Sequence, residues 1–178
     1  DAKILHILTS PMHVSYAPLP LDWSVVHLLT AIATAHPPYH ALIDTGALIT
    51  GLTNLQVARA LLRLGLAEAD AVVFLDEHDR KMSLLRHGGK VVEAAECGVA
   101  LRRRFTFYDQ VHTTGIDVKQ CGTARAAITV SKDTILRDYA QGAWRMRGIG
   151  VGQTIVLLVT PALSTRIRDT LPNRSGNL

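Results

Sequence analysis

Five largely apolar runs constrain the fold of this chain more than any other feature of its sequence. They are 39–44 (YHALID), 71–75 (AVVFL), 104–108 (RFTFY), 126–130 (AAITV) and 154–159 (TIVLLV). Because their apolar residues are continuous and do not alternate with polar ones, each run is typical of a strand buried on both faces of a sheet. Helical segments between the runs then predict an α/β fold with three layers, in which helices cover both faces of a parallel sheet.

The predicted helices have recognisable ends. The first begins at Asp22 as N-cap and runs to about Ala35, and the second is capped by Thr53-Asn54 and stopped by Gly65. A third opens at Asp133 and ends in the cluster 141–148. The remaining predictions are a strand at 2–8, an extended proline-rich connection at 10–21, and a short helix at 91–97.

Composition describes a globular protein of one main domain. The 178 residues are 48% hydrophobic and 19% charged, with a net charge of +4. With only Cys97 and Cys121, no disulfide framework is indicated, and a reducing, cytoplasmic setting is favoured. No apolar run has the length of a membrane span. The chain starts without methionine, so we expect a processed piece or a fragment of something longer.

We expect an N-terminal extension at 1–38 with one helix, the main lobe at 39–171, and a frayed tail at 172–178. Ligands of open parallel sheets bind at the carboxyl ends of the strands. The residues that follow these ends are polar: Asp44-Thr45, Asp76-Glu77, 109–117 and Ser131. The predicted site therefore lies at that edge.

Two arginines near the end of the third predicted helix are the first candidates for chemistry. Arg145 and Arg147 stand in a glycine-rich segment. A guanidinium group is planar and permanently charged, and it can stabilise the charge that develops on a transferring phosphoryl group. The alternative is a basic helix C-terminus, where cations are favoured by the helix dipole.

The acidic turn after the run 71–75 has two interpretations. Asp76, Glu77 and Asp79 look like a Walker B element, in which an aspartate holds Mg²⁺ and a glutamate positions water. No phosphate-binding loop of the form Gly-x4-Gly-Lys-Ser/Thr occurs in this sequence, so a structural or partner-facing turn is favoured. The histidines and cysteines include no Cys-x2-Cys pair, and we predict no metal site.

A cysteine, a histidine and an aspartate also supply the residue types of a thiol hydrolase. Cys97 would be the nucleophile, His112 its base, and Asp109 or Asp117 the group that orients the base. A cysteine that precedes glycine is more often a small buried residue.

The order of elements from 104 to 160 resembles the second RecA-like lobe of superfamily-two helicases and of the SecA motor. The loop His112-Thr113-Thr114-Gly115-Ile116-Asp117 matches motif V, and Gln141 with Arg145 and Arg147 matches motif VI. The resemblance implies that both arginines touch the γ-phosphate, that Gln141 senses it, and that the motif V loop couples to nucleotide state. One departure is that Arg147 stands at i+6 from Gln141, where the family has arginine at i+7.

A narrower resemblance is carried by ALIDTGALITGLTN (41–54), VVFLDEHDRK (72–81), RRFTFYDQVHTTGIDVKQ (103–120) and RDYAQGAWRMRGIGVGQTI (137–155). These stretches are similar to a domain of unknown function in very large fungal, plant and oomycete proteins. In that family a phosphate loop lies in an upstream first lobe. ATP with Mg²⁺ would therefore bind only when the first lobe is present.

Three functions follow as expectations. The first is the C-terminal lobe of an NTP-hydrolysing motor, inactive alone, whose partners are the first lobe and a nucleic-acid or polypeptide substrate. The second is a ubiquitin thiolesterase, because proteins of the narrower family often carry that label. The third is a non-catalytic interaction domain that kept the fold.

Overall fold

The computed structural model describes residues 2–111 and 117–170, which form one eight-stranded sheet with helices around it. The strands are β1 (Val14–Pro18), β2 (Ala41–Ile43), β3 (Ala71–Leu75), β4 (Lys81–Leu85), β5 (Val91–Glu93), β6 (Arg104–Tyr108), β7 (Arg125–Val130) and β8 (Thr154–Val159). The helices are α1 (Ala2–Thr9), α2 (Val25–Ala33), α3 (Asn54–Leu64), α4 (Leu136–Ala143) and α5 (Pro161–Thr170). Two short 3₁₀ helices lie at Ala94–Glu96 and Leu101–Arg103.

The sheet is mostly parallel, in the order β1-β8-β7-β2-β6-β3-β4-β5. All neighbours from β1 to β3 pair in parallel, and β4 pairs antiparallel with both β3 and β5. Ile43 is in register with Tyr108 and with Ile128. The carboxyl ends of β2, β6 and β7 therefore lie close together at one edge, and the prediction of a largely parallel α/β sheet is confirmed.

Each face of the sheet carries its own apolar cluster. In β2, Leu42 packs into the cluster formed with α2 and α3, whereas Ala41 and Ile43 pack into the cluster that includes Leu8 of α1 and Ala143 of α4. Burial on both faces explains why the strand sequences are apolar throughout, since each buried aliphatic side chain contributes about 1.5–3 kcal/mol.

Helix α3 has the ends that its sequence predicts. The Thr53 side chain accepts from the backbone N–H of Gln56, and the Gln56 side chain accepts from the N–H of Thr53, which completes a capping box. Gly65 is the C-cap, and a β-carbon there would collide with the carbonyl oxygen of Ala33. The predicted strands at 71–75, 104–108 and 154–159 are also confirmed.

Several local predictions are wrong. The run 2–8 is part of α1 and not a strand, because Ile7 and Leu8 pack from a helix into the apolar cluster on one face of the sheet. The proline-rich connection contains β1, which pairs with β8, so residues 2–38 hold two helices and an edge strand of the same sheet. The segment 91–97 begins as strand β5 and not as a helix.

Two predicted helix starts are also too early. The first of these helices begins after Ser24, which caps it by accepting from the backbone N–H of His27. Helix α4 begins at Leu136 and not at Asp133, because Ser131 and Thr134 close a hydrogen-bonded turn ahead of it.

Candidate functional site

Arg145 is held at a fixed place by the tight turn that ends α4. Its backbone N–H donates to the carbonyl of Gly142 at 3.0 Å, and the N–H of Met146 donates to the carbonyl of Ala143 at 2.9 Å. Ala143 and Met146 are fully buried in the cluster on this face of the sheet. Arg145 is consequently drawn inward as well, and only 7% of it is exposed.

A cavity of about 410 Å³ opens beside Arg145. Its lining comes from two segments, the loop that precedes β7 and the connection between α4 and β8. The lining residues are Asp117, Val118, Lys119, Gln120, Arg145, Arg147, Gly148 and Gln153. The sequence predicted that Asp117 lies with the two arginines, and the structure brings these three residues to one cavity.

Gln153 joins the two segments. Its Nε2 donates to the carbonyl of Cys121 at 2.9 Å, and its Oε1 accepts from the backbone N–H of Gly148 at 2.7 Å. Gln153 is buried, so both ends of its amide are satisfied inside the protein. A β-carbon at Gly152 would press against the carbonyl oxygen of Gly122, so the two segments also meet at their glycines. The cavity wall is therefore fixed by buried hydrogen bonds.

The outer rim of the cavity carries an ion pair. The Nε of Arg147 lies 3.6 Å from Oδ1 of Asp117, and both side chains are about half exposed. The same guanidinium lies over the ring of Trp144, 5.8 Å from its centroid. An exposed pair of this kind contributes about 0–1 kcal/mol, so a competing anion can replace the carboxylate at low cost.

Donors exceed acceptors among the side chains that line this cavity. Among the described residues that line the cavity, the side chains of Lys119, Arg145 and Arg147 are cationic and that of Asp117 is the one carboxylate, so these four have a formal charge of +2. In addition, Nε2 of Gln120 is buried without a hydrogen-bond partner. A positively charged cavity with a spare buried N–H is complementary to an anion with several oxygen atoms.

Tyr108, the last residue of β6, contacts the loop that lines the cavity. Its hydroxyl oxygen lies 3.5 Å from the carbonyl oxygen of Val118. Burial raises the pKa of Tyr108, while the nearby Arg145 acts in the opposite direction. The tyrosine therefore stays neutral and does not cancel the positive charge of the cavity.

Some predicted site residues lie elsewhere. Gln141 is on the exposed side of α4 and is not among the residues that line this cavity. His112, Thr113, Thr114 and Gly115 fall outside the described residues. Lys119, Gln120 and Gln153 were not predicted, and the position of Gln153 directly before a strand was the only available signal.

The acidic turn joins β3 to β4 as a hairpin. Asp76 accepts from the backbone N–H groups of His78 and Arg80, both at 2.9 Å, and from the Arg80 guanidinium at 2.7 Å. These hydrogen bonds stabilise the turn, and Asp79 adopts the positive φ of 59° that the turn requires. The Asp76 carboxylate therefore has a structural role here. Glu77 is exposed. In the described part of the chain, no group of three or more His, Cys, Asp or Glu side chains could hold a metal ion.

Cys97 is buried at the end of the 3₁₀ helix 94–96. Its predicted base, His112, lies outside the described residues, and no contact between Cys97 and Asp109 is seen among the described ones. The predicted thiol group therefore stays a prediction.

Asp44 has a structural role at the edge where the site was expected. Its carboxylate accepts from the N–H of Leu48 and of Ile49, both at 2.9 Å, and from the hydroxyl of Thr129 at 2.6 Å. The neighbouring Thr45 packs against Gly142 of α4. Asp44 thus fixes the loop on which the end of α4 rests, just before Arg145.

No family model matches this chain, and no curated protein or solved structure matches it either. Of the helices in the described ranges, none has both the length and the apolar character needed to cross a membrane.

Proposed function

We propose that this chain is the phosphate-recognising lobe of an NTP-hydrolysing motor of the helicase or SecA type, and that a separate lobe holds the nucleotide. The observation that carries the proposal is the cavity in which a buried arginine, Arg145, lies with Arg147 and Lys119 against one carboxylate. The fold is a second support, since a mostly parallel α/β sheet is the architecture that RecA-like lobes use.

Burial of Arg145 is what separates this arrangement from a basic surface. Removing a guanidinium from water is unfavourable unless it gains partners, and a surface arginine at a helix end would remain solvated. A guanidinium fixed in a partly desolvated cavity binds phosphate oxygens more strongly than one in bulk water, because the local dielectric constant is lower. The position is also set in advance, so no reorganisation is needed when charge develops.

The residues fit a phosphoryl group. Arg145 and Arg147 would bind its oxygens, Lys119 would add a third cation, and Nε2 of Gln120 offers one further N–H. ATP bound with Mg²⁺ by the other lobe would supply the phosphoryl group and its leaving group. Alone, this lobe binds the anion and leaves it unhydrolysed.

Binding of inorganic tripolyphosphate to the chain alone tests the proposal. In calorimetry at low salt, Arg145→Met should weaken binding about 10- to 150-fold, which corresponds to the loss of hydrogen bonds to a charged group. Arg147→Met, at the half-exposed rim, should weaken it about two- to fivefold. The matched control is Arg137→Met, an exposed arginine on α4 outside the cavity, which should change the affinity less than about twofold.

Folding must be compared in the same samples, because Arg145 is buried. Circular dichroism and thermal unfolding identify a variant that has lost its structure. Arg147 is half exposed, so Arg147→Met tests anion binding at a position where substitution leaves the fold intact. Equal affinities for the wild type, Arg147→Met and Arg137→Met would contradict the proposal.

A further inference from the structure

A small cavity of about 200 Å³ lies between α3 and the turn that joins β4 to β5. Three arginines line it, Arg59 and Arg63 from α3 and Arg86 from the turn. Helix α3 packs into the apolar cluster that contains Leu42, whereas Met146, next to Arg145 in the chain, packs into the other cluster. The cavity is therefore on the opposite face of the sheet from the arginine site, and the two share no lining residue among those described.

The segments that build this cavity carry an unbalanced positive charge. Residues 54–64 and 81–90 include Arg59, Arg63, Arg86 and two lysines but no aspartate or glutamate. Arg59 and Arg63 lie one turn apart on α3, a spacing at which like charges repel each other. Both residues are exposed, and in the part of the chain that the structure describes neither guanidinium forms an ion pair or a hydrogen bond. Both groups are therefore available to an anion.

Arg86 has a different role, because its guanidinium is already bound to the protein. It donates to four carbonyl oxygens at and after the end of α3, at 2.7–3.2 Å. Without such a partner, the carbonyl groups at the end of a helix repel an anion. Asp70 interacts electrostatically with Arg86 and His87, but its carboxylate accepts two hydrogen bonds from Arg103, at 2.7 and 2.8 Å. Arginines thus already balance these two sources of negative charge near the cavity.

The other side chains that line the cavity are apolar. Leu84 is buried, whereas Leu62 and Leu85 are half-buried and keep some surface in contact with water. Covering that surface with an apolar group is favourable. Because sites for drug-sized ligands have volumes of about 300–1,000 Å³, this cavity suits a smaller molecule.

We propose that this cavity binds a small organic phosphate, that is, a phosphate monoester whose organic part is apolar. Such a group has a charge of about −1.5 to −2 at pH 7, which two guanidinium groups can balance. Arg59 and Arg63 bind its oxygen atoms, because the planar fork of a guanidinium matches the geometry of a phosphate. The apolar part then lies against Leu62 and Leu85.

Phenyl phosphate tests the proposal in an NMR titration of the chain at low salt. The backbone amide signals of Leu62, Arg63 and Gly89 should shift and reach saturation. When Arg59→Gln and Arg63→Gln are combined, the dissociation constant should rise at least about tenfold, because hydrogen bonds from two charged groups are lost. Both positions are exposed and glutamine is a good helix former, so the fold is kept. Arg137→Gln, on the exposed side of α4, is the matched control and should leave the dissociation constant unchanged.

Four results would overturn the proposal. The first is a dissociation constant that the double variant leaves unchanged. The second is equal binding of inorganic phosphate or of neutral phenol, since phenyl phosphate should bind at least about threefold more tightly than either. The third is loss of binding in Arg147→Met, which would place the phosphate in the arginine cavity on the other face. The fourth is a phosphotyrosine peptide that binds at least about tenfold more tightly than phenyl phosphate, which would assign the cavity to a phosphorylated protein segment.

Discussion

The hydrogen bond between Thr129 and Asp44 should contribute measurably to folding. The hydroxyl of Thr129 donates to the carboxylate at 2.6 Å and accepts from the backbone N–H of Gly46 at 3.0 Å. Both side chains are buried, with 2% of Asp44 and none of Thr129 exposed. The change Thr129→Val keeps the shape of the side chain and removes both hydrogen bonds.

The expected cost can be worked out from these contacts. A hydrogen bond to a charged group contributes about 1.5–3 kcal/mol, and the N–H of Gly46 loses its acceptor in addition. We expect the free energy of unfolding to fall by about 2–4 kcal/mol. Asp44→Ala should cost more, about 3–5 kcal/mol, because it also removes the acceptor of the Leu48 and Ile49 N–H groups.

Urea unfolding followed by circular dichroism measures both changes. Thr30→Val is the control, since that hydroxyl bonds within an exposed helix turn, and it should change stability by less than about 0.5 kcal/mol. The double variant of Asp44 and Thr129 should be less destabilised than the sum of the single variants, by about 1–2 kcal/mol. A change of under about 0.5 kcal/mol for Thr129→Val, or strict additivity, would refute this account of the loop.

Three further predictions concern other contacts. Gly142→Ala should destabilise the protein by about 1–3 kcal/mol, because its β-carbon would collide with the hydroxyl of Thr45, and adding Thr45→Ala should restore stability in the same unfolding assay. Arg86→Met should lower the free energy of unfolding by about 3 kcal/mol, since this guanidinium donates to four carbonyl oxygens around the end of α3, and an unchanged melting temperature would contradict its role. The hydrogen bond from Arg103 holds the pKa of Asp70 below its ordinary value of 3.8, so the pair stabilises the fold above that pH and the benefit is lost as the pH falls through the lowered pKa. Asp70→Asn should therefore make the free energy of unfolding less pH-dependent between about pH 5 and about pH 2. An unchanged pH profile would show that this ion pair does not cause the pH dependence.

The central strands were predictable because a strand buried on both faces allows few polar residues. The runs at 71–75 and 154–159 match β3 and β8 without any adjustment. The helix α3 was predictable for a different reason, since its capping residues Thr53 and Gly65 are local signals.

The edges of the sheet were not predictable in this way. A short apolar run such as 2–8 fits a helix or a strand equally well, and packing on the sheet decides the outcome. β4 and β5 were missed because the hairpin at the edge reverses direction within an otherwise parallel sheet, and its turns use Asp79 and Gly88-Gly89 at positive φ.

The candidate site could be predicted only in part. Arg145 and Arg147 stood out because of their residue type and glycine-rich surroundings. Lys119 and Gln120 carry no local signal, and Gln153 carries only its place before a strand. Their role depends on a contact between two segments that are distant in the chain, such as the bond between Gln153 and Cys121, which are 32 residues apart.

The most direct measurement is an ATPase rate. It is made on the two-lobed protein that the proposal requires, in which this lobe is joined to a lobe with a phosphate loop. Arg145→Ala should lower that rate by about 10³-fold or more, the effect of removing an arginine that stabilises a transferring phosphoryl group, while Arg137→Ala should leave it unchanged. Equal rates for the wild type and Arg145→Ala, in samples shown to be folded, would contradict the account.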